Sequence, residues 1–458
     1  MTVLEPPPDA PTVAAHPELA DFNVETGKFP RISARETRRG TLLAFFAWVL
    51  AVYDYMLFGT LLPRISHDFG WSETDLLYAN MLVSVGVFII VIFVGLAIDR
   101  VGRRKGMMIT VGGAAASSAL TAASTGLGSL VGFRSLSGFG VSEQSVNATY
   151  LNEVFALTEV ERVRKNRGLI YSIVQCGWPV GALLAAAFVA GLNALWGPES
   201  WRIGFVLAAF PALFLFFLRR GIKETPQHRL NMYLRRLRKN GRSDEANELA
   251  ERFGVEPEVG GIRRIFSAKY RRNSIVLSVA WILNYFGITA STVLGTTMLE
   301  NVHGLSIGTS LVIVILSNLV GALGYLFHGW LGDRIGRKKV IIGGWAIAAV
   351  SWTAFAIGPS DVGWVLVSYM LSLFFLLGPY AALLFFQAEC YGSDCRGTGS
   401  SFAAAMGHPG NIIASALLAW IVSAQIGLGI AAVVVGATGM LLSAIVMLFA
   451  RRVDASEQ

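Results

Sequence analysis

Three charged residues, Asp54, Arg134 and Glu143, stand inside stretches of sequence that are otherwise apolar. A charge held in hydrocarbon costs at least about 2.5 kcal/mol, so each is a candidate for function. Asp54 lies thirteen residues into an apolar stretch that starts near 41, or roughly 20 Å along a helix. Arg134 lies seven residues into the stretch near 127–152, roughly 10 Å from its start. If the two stretches cross a core about 30 Å thick in opposite directions, the two depths coincide. An acid and a base at one depth are each cheaper to bury if they meet. Protonating Asp54 then leaves Arg134 without its counter-ion, and the carboxylate of a substrate can take the vacated place. That exchange is a chemistry for coupling proton and anion movement.

Glu143 follows Arg134 by nine residues, which puts it on the opposite face of an ideal helix unless Gly138 or Gly140 supplies a kink. With Asn147 and Tyr150 it forms a polar stripe at i, i+4 and i+7. It reads either as a second proton site or as a buried acid that fixes helix packing. Tyr53, Gln175, Asn284, Tyr285, Tyr380, His408 and Asn411 are further polar residues in apolar surroundings. Each can reach a substrate or bond across helices, the latter for about 0.6 kcal/mol. His408 precedes Pro409-Gly410, where a broken helix would expose it. No G-x-S-x-G, H-E-x-x-H, paired Cys/His spacing or phosphate-binding loop ending in Lys-Ser/Thr occurs. The expectation is therefore not an enzyme, with no cofactor and no metal.

The elements that must position these residues follow from composition. Of the 458 residues, 54% are hydrophobic and 15% charged, and mean hydropathy is +0.55; soluble domains carry about 25% charged residues. Apolar stretches of about 20 residues recur twelve times, which predicts an all-α membrane protein of twelve transmembrane helices. They fall near 41–63, 76–98, 107–125, 127–152, 168–191, 203–218, 274–298, 306–331, 340–357, 362–388, 398–423 and 427–450. With both termini on the cytoplasmic side, all but Arg64, Arg134 and Arg202 of the 38 Lys and Arg residues fall in cytoplasmic segments. The net charge of +8 thus speaks for orientation in an inner cell membrane, and no basic face with reading elements for nucleic acid is present.

Residues 1–40, rich in proline, read as a disordered cytoplasmic tail. Residues 41–218 read as an N-terminal six-helix bundle, 219–272 as a cytoplasmic linker, 273–450 as a C-terminal six-helix bundle and 451–458 as a cytoplasmic tail. In the linker Leu230, Tyr233, Leu234 and Leu237 recur at helical spacing among basic residues. That pattern fits an amphipathic helix on the anionic leaflet of the bilayer or a solvated linker helix.

The chain repeats itself. Gly95-Leu-Ala-Ile-Asp99-Arg100-Val-Gly102-Arg103-Arg104 follows the second stretch, and Gly329-Trp-Leu-Gly-Asp333-Arg334-Ile-Gly336-Arg337-Lys338 follows the eighth, 234 residues on. Glu153 and Glu389 end the fourth and tenth stretches, 236 residues apart. The glycines let helices approach closely. The aspartates can bind an Arg and the positive N-terminus of a neighbouring helix in one state and release both in another, making a latch.

Both loops match the G-x-x-x-D-R-x-G-R-R/K signature at every position, and through them the chain resembles the major facilitator superfamily. The resemblance implies two six-helix bundles rocking about a midplane site. It also gives Glu153, Glu389 and Arg396 a place in the cytoplasmic gate. Tyr53-Asp54-Tyr55 is similar to the first span of the metabolite:proton symporters. Arg134 through Glu153 is similar to the fourth span of the sialic acid and lactate proton symporters, and Glu224-Thr-Pro226 to an E-S-P element shared with the sugar porters. The D-G-x-D signature of the aromatic acid symporters is absent at Ala51–Asp54, and the P-E-S-P element of the sugar porters is incomplete at Ile222–Pro226. Together these imply proton-coupled uptake of a small organic anion, such as a mono- or dicarboxylate, by a carrier acting as a monomer. The rival within transport is a proton-antiport exporter, and the rival outside it a membrane solute sensor.

Overall fold

The computed structural model describes residues 17–71, 73–197, 200–255, 261–293, 295, 298–392 and 395–451. These residues are helical throughout, and their only strand-like pairings are two isolated bridges, Asn23 with Lys28 and Ile32 with Thr158. In the first half α1 (Ala34–Asp68), α2 (Glu73–Val101) and α3 (Arg103–Ala122) are followed by an interrupted helix. Its pieces are α4 (Leu127–Ser135), α5 (Gly138–Val141) and α6 (Glu143–Leu157). Then come α7 (Glu161–Lys165), α8 (Arg167–Gln175), α9 (Gly177–Trp196) and α10 (Trp201–Arg219). Three short helices lead to the second half: α11 (Pro226–Lys239), α12 (Ser243–Arg252) and α13 (Ile262–Ile265).

The second half comprises α14 (Arg271–Ile288), α15 (Ile307–Leu331), α16 (Arg337–Ile357), α17 (Val362–Leu377) and α18 (Tyr380–Glu389). It ends with α19 (Arg396–Ala405), α20 (Gly407–Ser423), α21 (Leu428–Ala432) and α22 (Thr438–Met447). Within the first half α1 packs on α9 and α3 on α10; within the second α15 packs on α17 and α14 on α22. The halves meet through two related crossings, α2 against α19 and α15 against α8.

Eight stretches among the described residues are long and apolar enough to cross a membrane: Ala34–Leu61, Met81–Val101, Arg167–Trp196, Trp201–Arg219, Arg271–Ser291, Val312–Ile357, Val362–Glu389 and Leu428–Met447. Val312–Ile357 runs from within α15 through the π-helical Gly332–Gly336 to the end of α16. The other expected spans coincide with α3, which is rich in Gly, Ala, Ser and Thr, and with the interrupted runs α4–α6 and α19–α20. Each piece of those runs is too short to cross alone.

Two expectations are corrected. The first sixteen residues of the expected disordered tail lie outside the described ones, but from Pro17 the chain is ordered and α1 already starts at Ala34. Leu19, Phe22 and Val24 of that segment pack against Leu230, Tyr233, Leu234 and Leu237 of α11 and Leu249 of α12. Asp21 pairs with Arg229 at 2.7 Å, and Glu18 with Arg236 at 2.7 Å. The apolar stripe of α11 is therefore covered by the chain's own N-terminal segment rather than by lipid, because that segment supplies both an apolar face and the matching acids. The second correction concerns Arg219, placed from sequence at the start of the linker. It closes α10 with no exposed surface.

Candidate functional site

Asp54 on α1 and Arg134 on α4 meet inside the first half. Nη1 of Arg134 lies 3.2 Å from each carboxylate oxygen, and Nη2 donates to the Asp54 carbonyl at 3.4 Å. Ser118 of α3 also donates to the carboxylate. The rings of Phe58 and Phe205 lie 4.8 and 5.3 Å from the guanidinium carbon. With Arg134 1% and Asp54 7% exposed, neither ion has bulk water to fall back on. Removing one partner of such a pair costs about 3–5 kcal/mol. Nε of Arg134 has no hydrogen-bond partner among the described residues. A cavity of about 220 Å³ adjoins it, lined by Tyr55, Phe58, Arg134 and Ser137 from the first half and His408 from the second.

The other polar residues sort by what they touch. Tyr55 lines the cavity, whereas Tyr53 packs edge-on against Phe188 at 5.6 Å in the bundle core. Gln175 donates to Tyr171 at 2.7 Å. The Tyr380 hydroxyl donates to Asn284 at 2.6 Å, and Asn411 accepts from Thr289 at 2.7 Å. Tyr285 lies against Trp281, ring centroids 5.9 Å apart. These three hydrogen bonds and the ring contact run between side chains of the bundle itself.

Glu143 is held by Arg219 through two bonds of 2.6 and 2.9 Å, with Thr110 donating to the same carboxylate. Asn147 accepts from Arg219 at 3.2 Å and donates to the Ala44 carbonyl at 3.1 Å. The turns at 136–137 and at Ser142 break the helix between Arg134 and Glu143, so the two serve different partners. Sequence reasoning missed Arg219 because it stands beside Arg220 at a helix end, where basic residues ordinarily serve orientation.

At the end of the bundle that carries the repeated loops, the two halves lock reciprocally. Asp99 accepts from the backbone N–H of Gly397 at 3.1 Å and Thr398 at 2.6 Å, the first turn of α19. Asp333 accepts from Gly168 at 3.1 Å and Leu169 at 3.0 Å, the first turn of α8. Each carboxylate thus sits on the positive end of a helix from the opposite half. Arg103 lies 2.9 Å from Glu153 and 3.6 Å from Asp99. Arg337 contacts Glu389 and lies 3.0 Å from Asp333. Across the halves Arg396 lies 3.7 Å from Glu153, and Arg167 lies 2.9 Å from Glu389. Arg167 is the member of this set that its sequence context, among the basic residues 162–167, did not mark.

Of the signature arginines, Arg100 and Arg334 are exposed, the latter over Trp330. The buried work falls to Arg103 and Arg337. Arg104 donates to the Arg220 carbonyl at 2.8 Å. A Cβ on Gly95 would lie 2.5 Å from that of Ser401, and one on Gly329 would lie 2.6 Å from that of Ser172. The glycines thus admit the two crossings. Gly102 and Gly336 turn the chain at φ of +99° and +96°, where a side chain would be strained.

The linker closes this network. Glu224 accepts from the N–H of Arg103 at 2.9 Å and of Arg104 at 3.1 Å, at the start of α3. Thr225 donates to Glu153 at 2.6 Å. His228 lies 3.1 Å from Nη1 of Arg103. Burial, reinforced by Arg103, lowers the His228 ring from 6.5 to about 3, and burial raises the Glu224 carboxyl. Between about pH 3 and 6.5 the unfolded chain holds a proton on His228 that the folded chain refuses. This contribution to stability therefore grows as pH rises through that window and is constant above it. In detergent, the thermal midpoint of His228→Gln should fall less than that of the parent between about pH 6.5 and 4. Equal slopes would show that the ring titrates freely.

An all-helical membrane protein with buried ion pairs, a cavity lined from both halves and a reciprocal latch at one end belongs to the class of membrane transporters, not enzymes. The family of sugar (and other) transporters, within the major facilitator fold, matches residues 40–451, and the chain belongs to it. The niacin transporter NiaP of Acinetobacter baylyi is 25% identical over 387 residues, covering 80% of this chain and 83% of that one. The 4-hydroxybenzoate transporter PcaK of the same species is 24% identical, covering 84% and 86%. The proton:xylose symporter XylE shares the fold with a TM-score of 0.68 at 17% identity, covering 91% of this chain and 96% of that one. The two local departures noted from sequence, at 51–54 and 222–226, do not set the chain outside this range of relatives.

Proposed function

We propose that the protein is a proton-coupled symporter that takes up a small organic anion, a monocarboxylate on an aromatic or similarly sized frame, across the inner cell membrane. The carrying observation is the buried Asp54–Arg134 pair, 3.2 Å apart, with Arg134 at the wall of a 220 Å³ cavity. The cavity lies on the side of Asp54 away from the latch, since Tyr55, Met56, Phe58, Gly59 and Thr60 of α1 line it and the residues around Glu36 adjoin the latch end. In this reading a proton settles on Asp54, Arg134 loses its counter-ion, and the substrate carboxylate binds Arg134 with His408 and Tyr55 beside it. Only the empty or the fully loaded carrier avoids an unpaired buried guanidinium, so only those two reorient. The niacin and 4-hydroxybenzoate carriers among the relatives support a ring-bearing carboxylate.

The same reading has twelve spans in two six-helix bundles, both termini cytoplasmic and a single working protomer. The latch is then a cytoplasmic gate, and this conformation faces outward with that gate shut. The test is uptake into proteoliposomes of labelled nicotinate, 4-hydroxybenzoate, lactate and citrate, with and without an inward proton gradient. At least one should accumulate only with the gradient. Carboxylate efflux driven by that same gradient, or no proton dependence for any of them, would overturn the reading.

A further inference from the structure

The first half contains two buried ion pairs, and the mechanism above uses one. Glu143 and Arg219 are each 1% exposed or less, with Thr110 donating to the carboxylate and Asn147 accepting from the guanidinium. Between the pairs runs a narrow slot whose lining residues include Asp54, Glu143 and Ser118. The rest of the wall is apolar: Ala47, Leu50 and Ala51 of α1, Val111 and Ala114 of α3, and Ala208, Ala212 and Leu215 of α10. Its free volume of about 10 Å³ is close to the minimum for one water. Thr110, which donates to Glu143, and Ser118, which donates to Asp54, are eight residues apart on α3, or roughly 12 Å. One water does not span that distance.

On the far side of Glu143 the polar stripe continues through Asn147 to Tyr150. Tyr150 lines a cleft of about 420 Å³ at the latch end, together with Glu36, Arg39 and Glu224. Acid, slot, acid and polar stripe therefore follow one another from the substrate cavity to the latch end, wholly inside the first half.

We infer that Glu143 is the relay through which the coupling proton leaves Asp54, by a route inside the N-terminal bundle separate from the substrate's path. The inference rests on the proposed proton coupling at Asp54. The proton passes from the Asp54 carboxyl along water in the slot to the Glu143 carboxylate; Asp54 becomes anionic and recaptures Arg134, while Glu143 becomes neutral and releases Arg219. Loss of the proton to water in the Tyr150 cleft restores the Glu143–Arg219 pair, and the substrate, displaced from Arg134, leaves between the halves. In the conformation described here the slot is too small for a continuous water file, so the route is broken and protons do not leak. It completes when α10 moves against α1 and α3 and the slot fills. The charged groups facing this route are Asp54 and Arg134 at one end, Arg219 beside Glu143, and in the cleft at the other end Asp21, Glu36 and Glu224 with Arg31, Arg35, Arg39, Lys223 and Arg229.

The test compares two rates in the same proteoliposomes, using the carboxylate with the highest uptake in the screen above. One is accumulation driven by a proton gradient; the other is exchange of labelled for unlabelled substrate at equal pH, which needs no net proton transfer. For Glu143→Gln the ratio of driven uptake to exchange should fall roughly a hundredfold, the low end of what a positioned proton-transfer group contributes. Because Gln leaves Arg219 unpaired, the double variant E143Q/R219Q and the slot-filling Ala114→Val should show the same loss of ratio. Ala114→Val touches neither charge, so a purely structural role for Glu143 predicts an unchanged ratio there. Unchanged ratios in E143Q/R219Q and Ala114→Val, with the parent proton-driven and Asp54→Asn uncoupled, would overturn the relay and leave the Asp54 reading standing. A parent that shows no proton dependence would remove both.

Discussion

Asp54→Asn is expected to abolish accumulation against a gradient while substrate exchange persists. Asparagine preserves volume and can still accept from Ser118, so the packing around residue 54 survives. It cannot carry the charge that Arg134 faces at 3.2 Å. Arg134 is then permanently in the state that protonation would produce, a buried cation short of a partner, at a cost of about 3–5 kcal/mol. An anionic substrate relieves part of that cost, so apparent affinity should rise. Each 1.4 kcal/mol recovered is about tenfold in Kd.

Tight binding without release to the empty carrier is the reason driven uptake fails even though loaded carriers still exchange. The dependence of exchange on pH should flatten, since the proposed proton carrier is gone. Arg134→Lys separates charge from geometry: a compact ammonium lacks the fork by which Nη1 meets the Asp54 carboxylate while Nη2 reaches the Asp54 carbonyl. It should weaken binding without restoring proton-free accumulation. Undiminished driven uptake by Asp54→Asn, measured in proteoliposomes, would dismiss Asp54 as the coupling group.

Asp54 and Arg134 were legible as a pair because depth in a membrane is a one-dimensional coordinate that residue counts approximate well. The latch was legible for a related reason. A loop written twice declares its two-fold counterpart, and an aspartate at the end of a glycine-spaced helix has few uses other than a cation or a helix N-terminus. Arg219 and Arg167 were not legible, since both sit in basic clusters where orientation in the bilayer already accounts for an arginine. Only the assembled bundle shows that Arg219 turns inward to Glu143 and Arg167 crosses to Glu389. The α11 stripe failed for a different reason. An amphipathic face states that something apolar covers it, and lipid and another part of the chain look alike at that level. The interruptions at 136–142 and 406 were half visible, as glycines or a Gly-His-Pro-Gly run, but a glycine permits a break without requiring one.

Asp99→Asn is expected to open both sides of the latch and not merely its own. Asp99 accepts two backbone bonds from α19, and Asp333 accepts two from α8. Hydrogen bonds to a charged group contribute about 1.5–3 kcal/mol each. Replacing one carboxylate with an amide should therefore raise the open fraction by roughly one to two decades.

If the halves rock as rigid bodies, the latches read one equilibrium between shut and open. Amide hydrogen exchange then discriminates between local fraying and concerted opening. In Asp99→Asn, exchange should accelerate at Gly397 and Thr398, which keep one neutral amide oxygen between them in place of two carboxylate oxygens, and equally at Gly168 and Leu169, whose acceptor Asp333 is intact. Asp333→Asn should give the mirror result. The double variant should exceed either single variant while the shut state is still populated. Acceleration confined to the amides facing the altered carboxylate would show that the two latches open independently, and rocking would then be the wrong description of how this end of the carrier moves.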